Sequence, residues 1–410
     1  MTTGHITRCR ACGAAFGPVF CDLGTMAVAN SYLPPEADPD AEPCFPLCAV
    51  VCSHCRMVQL DHVVDATGIF RDYAYFSSAS SSWLDHARRF CDAMTARLGL
   101  GAQSLVIEVA SNDGYLLKNF VAAGIACLGI EPAANVAAAA VAAGVPTEVV
   151  FLGPQTAAEV VARQGRRADL VVANNVLAHV PDINGFVAGL ALLCAPDGVL
   201  SVEAPHLLNL VDGVQFDTIY HEHYAYWSLL AVERLFARHG LHVFDVEALP
   251  THGGSLRILA SSSLRTVSDA VVALRQTEAA RGLDGDAFYQ GFNARVAGVL
   301  AEFRNWSAAR AASGRRVAGY GAAAKGNTFL KAAGMGAGDL LAVADLSPAK
   351  QGRLLPGSHI PVLSPQALLA LQPDDILILP WNIAPEIVAQ LRDAGFRGDL
   401  WTAIAQMRRW

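Results

Sequence analysis

Apolar runs that end abruptly in short polar turns recur through the middle of the chain. Residues 104–117 open with Ser-Leu-Val-Ile-Glu-Val, pass through Ala-Ser-Asn-Asp-Gly and resume as Tyr-Leu-Leu. A brief apolar run bounded by turn residues predicts a strand buried on both faces, and the apolar return after Gly114 predicts a helix. The pattern recurs at 127–132 (Cys-Leu-Gly-Ile-Glu-Pro), 169–181 and 200–205. Such strands, ordered with helices between them, predict an α/β fold around a doubly wound parallel sheet. Upstream, 83–98 reads as a helix that Ser81 or Ser82 caps. Downstream, the double glycine of Thr-His-Gly-Gly at 251–254 predicts a hairpin, and 270–311 is helical in composition, bridging two lobes. At 315–328 a second strand, Gly-rich turn and helix follow one another, with further strand ends at Asp345 and at Pro380-Trp381-Asn382. The predicted domains are a small module over 1–75, a central sheet domain over 76–300 and a Rossmann-like lobe over 301–410.

Composition narrows the class. A chain of 410 residues, 53% of them hydrophobic, can bury several cores. Its net charge of -7, with no cluster of Lys and Arg, excludes a nucleic-acid-binding surface. Neither a basic start followed by an apolar run nor an apolar stretch of about 18 residues occurs, so a cytoplasmic monomer acting on a small molecule, with no membrane partner, is expected.

Seven of the ten cysteines lie in the first 55 residues. In a chain with no secretory signal that distribution points to a metal rather than to disulfides. Cys9-Arg-Ala-Cys12 and Cys52-Ser-His-Cys55 are paired Cys-x-x-Cys knuckles, the ligand set of a structural zinc ion. Cys44 and Cys48 could compete as ligands, but their spacing of four suits a helix face better.

The ligand crevice of such a sheet lies at its first turn. Glu131 ends the second strand, where an acid hydrogen-bonds a ribose, and Asn174 and Asn175 stand at a later strand's carboxyl end. The turn lacks Gly-x-Gly-x-x-Gly, which favours a nucleoside without phosphates over a dinucleotide. Glu-Val-Ala-Ser-Asn-Asp-Gly, Glu131 and Asn-Asn-Val-Leu-Ala-His-Val together resemble the S-adenosylmethionine site of class I methyltransferases. The resemblance implies cofactor contacts from Glu108, Ala110, Asn112, Asp113, Gly114, Glu131, Pro132, Asn174 and Asn175. Ala110 stands where many of that class carry Gly.

Residues 219–227, Ile-Tyr-His-Glu-His-Tyr-Ala-Tyr-Trp, crowd a carboxylate, two imidazoles and aromatics into one short stretch. Buried groups of this kind cost free energy unless paired, so their density suggests proton transfer or metal binding. With the knuckles, Tyr-Phe-Ser-Ser at 75–78, Gly-Ile-Glu-Pro and Tyr-His-Glu-His, the chain is similar over essentially its whole length to zinc-containing nucleotide-sugar C-methyltransferases of deoxysugar pathways. That resemblance implies methylation at C-3 of a thymidine-diphosphate (TDP)-linked 4-keto-6-deoxy sugar in antibiotic biosynthesis. His223 would be the base, Glu222 would orient it or contact the sugar, and Tyr220, Tyr75 and His179 would serve as donors. His221 would face the other way.

The turn after residue 320 puts N–H groups at a helix start beside Lys325, an arrangement suited to phosphate. It could equally belong to a nicotinamide-binding lobe. Under the resemblance, Gly321, Lys325, Asn327, Asp345 and Asn382 would hold the nucleotide diphosphate, with Arg257 available to a phosphate. Two alternatives remain at this point: a nicotinamide-dependent nucleotide-sugar oxidoreductase or epimerase, and a zinc-knuckle binding module on a degenerate methyltransferase.

Overall fold

The computed structural model describes residues 4–65 and 76–410. Three antiparallel strands build the amino-terminal module: β1 (Phe16–Ala27), β2 (Cys44–Cys52) and β3 (Val58–Leu60). Ala225–Tyr226, from much later in the chain, pairs with β3 and completes a four-stranded sheet. The module is therefore stitched directly onto the segment that follows Tyr-His-Glu-His. Cys44 and Cys48 lie on strand β2 and not on a helix, because pairing with β1 fixes this stretch as extended chain.

The central domain contains β4 (Leu105–Val109), β5 (Ala126–Ile130), β6 (Thr147–Glu148), β7 (Ala168–Asn174), β8 (Cys194–Pro205), β9 (His242–Leu249) and β10 (Ser255–Ser261). Their order across the sheet is β6-β5-β4-β7-β8-β10-β9. β4 to β8 pair in parallel, whereas β10 runs antiparallel to both neighbours. This is the class I methyltransferase sheet. All five residues of β4 are buried, as the continuous apolar run requires for a strand covered on both faces. The double glycine closes the β9–β10 hairpin, in which Leu249 faces Ser255.

The helix Ser81–Leu98 begins two residues earlier than predicted. Its cap is Ser80, whose hydroxyl accepts the Trp83 N–H at 3.3 Å. The long helix expected over 270–311 is two, Asp269–Ala280 and Phe292–Ala312, because Gly282 and Gly291 adopt φ of 78° and 84° and break the run. The second helix does join two regions, since Phe292 stacks on Phe20 of β1 with ring centres 4.4 Å apart, a contact worth about 0.5–1.5 kcal/mol beyond its burial.

The carboxy-terminal lobe contains β11 (Val317–Tyr320), β12 (Val343–Ala344), β13 (Val362–Leu363), β14 (Asp375–Ile378), β15 (Asp399–Thr402) and β16 (Arg408–Arg409), in the order β13-β12-β11-β14-β15-β16. All pair in parallel except β16. No helix among the described residues is long and apolar enough to cross a membrane.

Candidate active site and metal centre

The two knuckles converge. The sulfurs of Cys9, Cys12, Cys52 and Cys55 all lie within 4.8 Å of one another, and Cys9–Cys55 and Cys12–Cys52 approach to 3.5 and 3.4 Å. Four thiolates on a common tetrahedral zinc would be about 3.8 Å apart, from a Zn–S bond of about 2.3 Å. The peptide N–H groups of His54 and Cys55 donate to the Cys52 sulfur at 3.4 and 3.3 Å, which favours a thiolate there. Donor set and spacing thus suit a tetrahedral metal. Cys21, Cys44 and Cys48 stand outside the cluster.

The first crevice lies between β4 and β7, where the strand order reverses. Ala110 and Asn112 adopt φ of 57° and 50°, so Ala110 holds a left-handed conformation in which glycine would be unstrained. Glu131 accepts the N–H groups of Asn112 and Ala133, each at 2.9 Å, while its burial raises the carboxyl above its ordinary range. Glu108 is buried and raised well above that range, first by desolvation and then by the charges of Glu131, Asp113 and Glu203. Its Oε2, Asn174 Oδ1, Ser111 Oγ and both amide atoms of Asn175 are buried without hydrogen-bond partners among the described residues. Groups left in that state mark where a polar ligand completes the set. The segment Ser77-Ser78 covers this loop: its N–H groups donate to Asn112 at 2.9 Å and to Asp113 at 3.1 Å.

Tyr-His-Glu-His forms a tight turn, closed by the His223 N–H on the Tyr220 carbonyl at 2.9 Å. Positions three apart therefore meet, and the alternation of a strand does not apply. The Tyr220 hydroxyl lies 2.7 Å from His223 Nε2, and His223 Nδ1 lies 2.9 Å from the Thr218 carbonyl. A carbonyl only accepts, so Nδ1 carries the proton and Nε2 is the basic nitrogen. Burial, followed by the nearby His179 charge, pushes His223 well below its ordinary value, so it is neutral at pH 7. The His179 ring sits 4.6 Å from the His223 ring, edge to face, and burial lowers His179 to about 4.

Glu222 and His221 point elsewhere. Glu222 Oε1 accepts both the N–H and the side-chain amide of Asn30, each at 3.1 Å; Oε2 is buried without a partner, and desolvation raises the carboxyl to about 7. His221 packs against the module, with Nε2 3.2 Å from the Pro46 carbonyl and Phe45 edge-on at 6.0 Å. Tyr75 and Tyr73 lie outside the described residues.

The second crevice, between β11 and β14, opens on the same cleft. Lys325 Nζ donates to Asn382 Oδ1 at 2.8 Å and lies 5.0 Å from the Trp381 ring, whose N–H donates to Asp217 at 2.7 Å. Burial lowers Lys325 while Asp217 opposes the shift; burial also raises Asp217 to about 6. Other expected phosphate ligands are engaged. Asn327 is buried and donates to the Ala29 carbonyl at 2.7 Å. Gly321 is closed by Pro380, which a side chain at that position would meet at 2.3 Å. Asp345 receives the Ser347 N–H at 2.8 Å and lies 3.5 Å from Lys350.

Arg257 is not available to a phosphate. It is buried on β10, bound to Glu203 at 2.6 Å and to Glu247 at 2.6 Å. Burial alone would raise Glu203, but His86 at 2.9 Å and Arg257 outweigh it and hold the carboxyl low. The basic residue that seemed poised for substrate instead neutralises a buried strand carboxylate.

Three residues of the cleft carried no clear signal in the chain: His252, Asp217 and Trp381. His252 sits beside the double glycine with φ of 55°, its ring 5.2 Å from Trp83. A left-handed non-glycine residue is uncommon, yet φ is invisible in sequence. Gly253 gives part of the reason for the glycines, because an added Cβ would meet the Trp381 ring at 2.5 Å.

Three family models match the chain: a zinc binding domain over residues 9–70, a methyltransferase domain over 83–246 and a C-methyltransferase C-terminal domain over 250–404. The C-methyltransferase NovU of Streptomyces niveus is 37% identical over 385 residues, which cover 93% of this chain and 91% of NovU. A ubiquinone biosynthesis O-methyltransferase of Rhodopseudomonas palustris is 27% identical over 153 residues, 32% of this chain and 60% of that protein. Among solved structures, the magnesium protoporphyrin IX methyltransferase of Synechocystis PCC 6803 aligns with 44% of this chain and 83% of its own, at 17% identity and a TM-score of 0.36.

Proposed function

Because the chain belongs to the C-methyltransferase family of NovU and is an S-adenosylmethionine-dependent C-methyltransferase, we propose that it methylates C-3 of a TDP-linked 4-keto-6-deoxy sugar, with His223 as the base. The observation that carries this reading is the Tyr220–His223 pair: a neutral imidazole with Nε2 as the basic nitrogen, 2.7 Å from a phenol. A carbon beside a ketone becomes nucleophilic only when its proton is removed while charge develops on the carbonyl oxygen. Base and oxygen donor must therefore act on adjacent atoms. His223 Nε2 takes the C-3 proton, and the Tyr220 hydroxyl, displaced from Nε2 as the sugar enters, donates to the C-4 oxygen. His179 lines the same face and holds a sugar hydroxyl or the enolate oxygen. Tyr75 is a further donor, while Glu222, held by Asn30 behind the turn, takes no part in the proton transfer.

S-adenosylmethionine bound in the first crevice supplies the electrophilic methyl. Glu131 and Asn112 meet its ribose, while Glu108, Ala110, Asp113, Gly114, Pro132, Asn174 and Asn175 shape the rest of that pocket. Zinc on the four cysteines is structural, since all four positions of a tetrahedral shell are thiolates and none is left for substrate. Residues 1–75, 76–300 and 301–410 then divide the work among metal, cofactor and nucleotide, with Lys325 and Asn382 on the diphosphate side.

The test is incubation with methyl-labelled S-adenosylmethionine and a TDP-linked 4-keto-6-deoxysugar. Label at C-3 is expected; label on oxygen, or on another carbon, would overturn the assignment.

A further inference from the structure

We propose that Arg10, between the two ligands of the first cysteine knuckle, is a positioning residue that holds His179 and His223 in register. Its Nη1 donates to the carbonyls of Val180 and Pro181 at 3.0 and 3.1 Å, and its Nη2 donates to the Tyr224 carbonyl. One guanidinium thus grips the residue after each histidine. The two segments also meet directly, through the Tyr224 N–H on the Ala178 carbonyl at 2.7 Å. Arg10 sets their spacing from outside, and the Tyr224 ring packs 5.7 Å from its guanidinium carbon.

Arg10 is itself fixed at both ends. Its N–H donates to Gln59 Oε1 at 3.1 Å, and the carbonyls of Arg10 and Ala11 receive the Asn184 side-chain amide at 2.7 and 3.0 Å. Cys9 and Cys12 flank it in the converged cluster. A continuous line of covalent and hydrogen bonds runs from the metal knuckle through Arg10 to two imidazoles 4.6 Å apart. The planar fork of arginine reaches three carbonyls at once, which a lysine ammonium on a flexible stem cannot do in the same geometry. A displacement of about 1 Å in a reacting group can cost about 10²-fold in rate. The cysteine knuckle therefore contributes to catalysis by geometry, through Arg10.

The test rests on the reading of His223 as a carbon base. Exchange of the C-3 proton of a TDP-linked 4-keto-6-deoxysugar in D2O, with S-adenosylhomocysteine bound, reports deprotonation apart from methyl transfer. Arg10→Ala should lower the exchange rate by about 10²-fold, with metal content and S-adenosylhomocysteine affinity unchanged. Arg10→Lys should fall between it and the wild type. Arg8→Ala, whose exposed side chain donates to the Gly13 carbonyl, should exchange at the wild-type rate. Wild-type exchange in Arg10→Ala would overturn the proposal and leave the base assignment standing. Loss of metal or of S-adenosylhomocysteine binding in step with exchange would reduce Arg10 to a structural residue. Absence of C-3 exchange in the wild-type enzyme would overturn the base assignment and this proposal together. Should Arg10→Ala fail to fold, Arg10→Lys decides: a rate well below wild type with intact cofactor binding supports the proposal, and a wild-type rate overturns it.

Discussion

The molecule contains two parallel sheets whose first five strands share one order, β6-β5-β4-β7-β8 in the centre and β13-β12-β11-β14-β15 at the carboxyl end. Each has a crevice where that order reverses, and topology alone makes the two equivalent as ligand sites. Their polar groups do not. At the central crevice Glu108 Oε2, Ser111 Oγ, Asn174 Oδ1 and the Asn175 amide are buried without partners among the described residues. At the other, Asn327 holds the Ala29 carbonyl, Lys325 holds Asn382, Trp381 holds Asp217 and Pro380 fills the space above Gly321, although Asn327 Oδ1 and Asp217 Oδ1 are buried without partners among the described residues. The first crevice keeps more of its polar atoms for a ligand; in the second, the donors of Lys325, Asn327 and Trp381 go to joining the lobe to the rest of the chain. A switch point is a location, and its function depends on which groups there are still free.

The comparison breaks most visibly if chemistry does not belong to the central side. His223→Asn should lower kcat by about 10² to 10⁴, the usual worth of a positioned general base, while calorimetry finds S-adenosylhomocysteine affinity unchanged. Lys325→Met, on the second side, should act on KM for the nucleotide sugar, by about tenfold to a hundredfold for one charge-assisted contact, and leave kcat nearly intact. A Lys325 variant that lost kcat at constant KM would move the reaction toward the carboxy-terminal lobe.

Glu222 gives the next largest effect, and its sign is fixed by its environment. Burial lifts its carboxyl from an ordinary 4.5 to about 7 in the folded protein. Between those values the native state holds a proton that the unfolded chain has lost, so stability falls as pH rises from 4.5 through about 7. At about 1.36 kcal/mol per pKa unit the cost above pH 7 is about 3 kcal/mol. Glu222→Gln, neutral throughout, should remove that slope in denaturant titrations at pH 5 and pH 8. An unchanged slope would mean that Glu222 stays ionised beside Asn30.

How much of this was legible in the chain depended on the range of the interaction. Strands β4, β5, β7, β8, β11, β12 and β14 could be read from local patterning, because a strand covered on both faces is mostly apolar, whereas β6, β13, β15 and β16 could not. The knuckles could be read as well, since metal ligands occur at fixed short spacings. Arg257, Asn327 and Ser80 could not. Arg257 is a basic residue beside a double glycine until Glu203, 54 positions away, is seen to claim it. Asn327 contacts a carbonyl 298 positions distant. Ser80 is one of several serines in the run 77–82, and its extended backbone, with φ of -106° and ψ of 118°, makes it the cap. Sequence offered the type of group at each place; the folded chain decided which groups were already taken.

Glu131 tests the central crevice at smaller scale. Glu131→Gln keeps an oxygen for one loop N–H but removes the charge a ribose hydroxyl would meet. Charge-assisted hydrogen bonds contribute about 1.5–3 kcal/mol, so calorimetry should find S-adenosylhomocysteine affinity about tenfold to a hundredfold weaker. Asp345→Asn, the strand-end acid of the second sheet, should leave that affinity unchanged. Equal losses in both would make the crevices alike after all.

The smallest effects discriminate best, because they set two asparagines against each other. Asn327→Ala orphans the Ala29 carbonyl, and an unsatisfied buried group costs about 1–3 kcal/mol. The midpoint of denaturation should fall while S-adenosylhomocysteine binding holds. Asn174→Ala removes an oxygen that has no partner among the described residues. Its stability should change by less than that of Asn327→Ala, and the loss should appear only when S-adenosylhomocysteine is added. If Asn174→Ala instead destabilises the free protein as much as Asn327→Ala does, its oxygen was already satisfied, and the central crevice holds no unfilled polar set to distinguish it from the other.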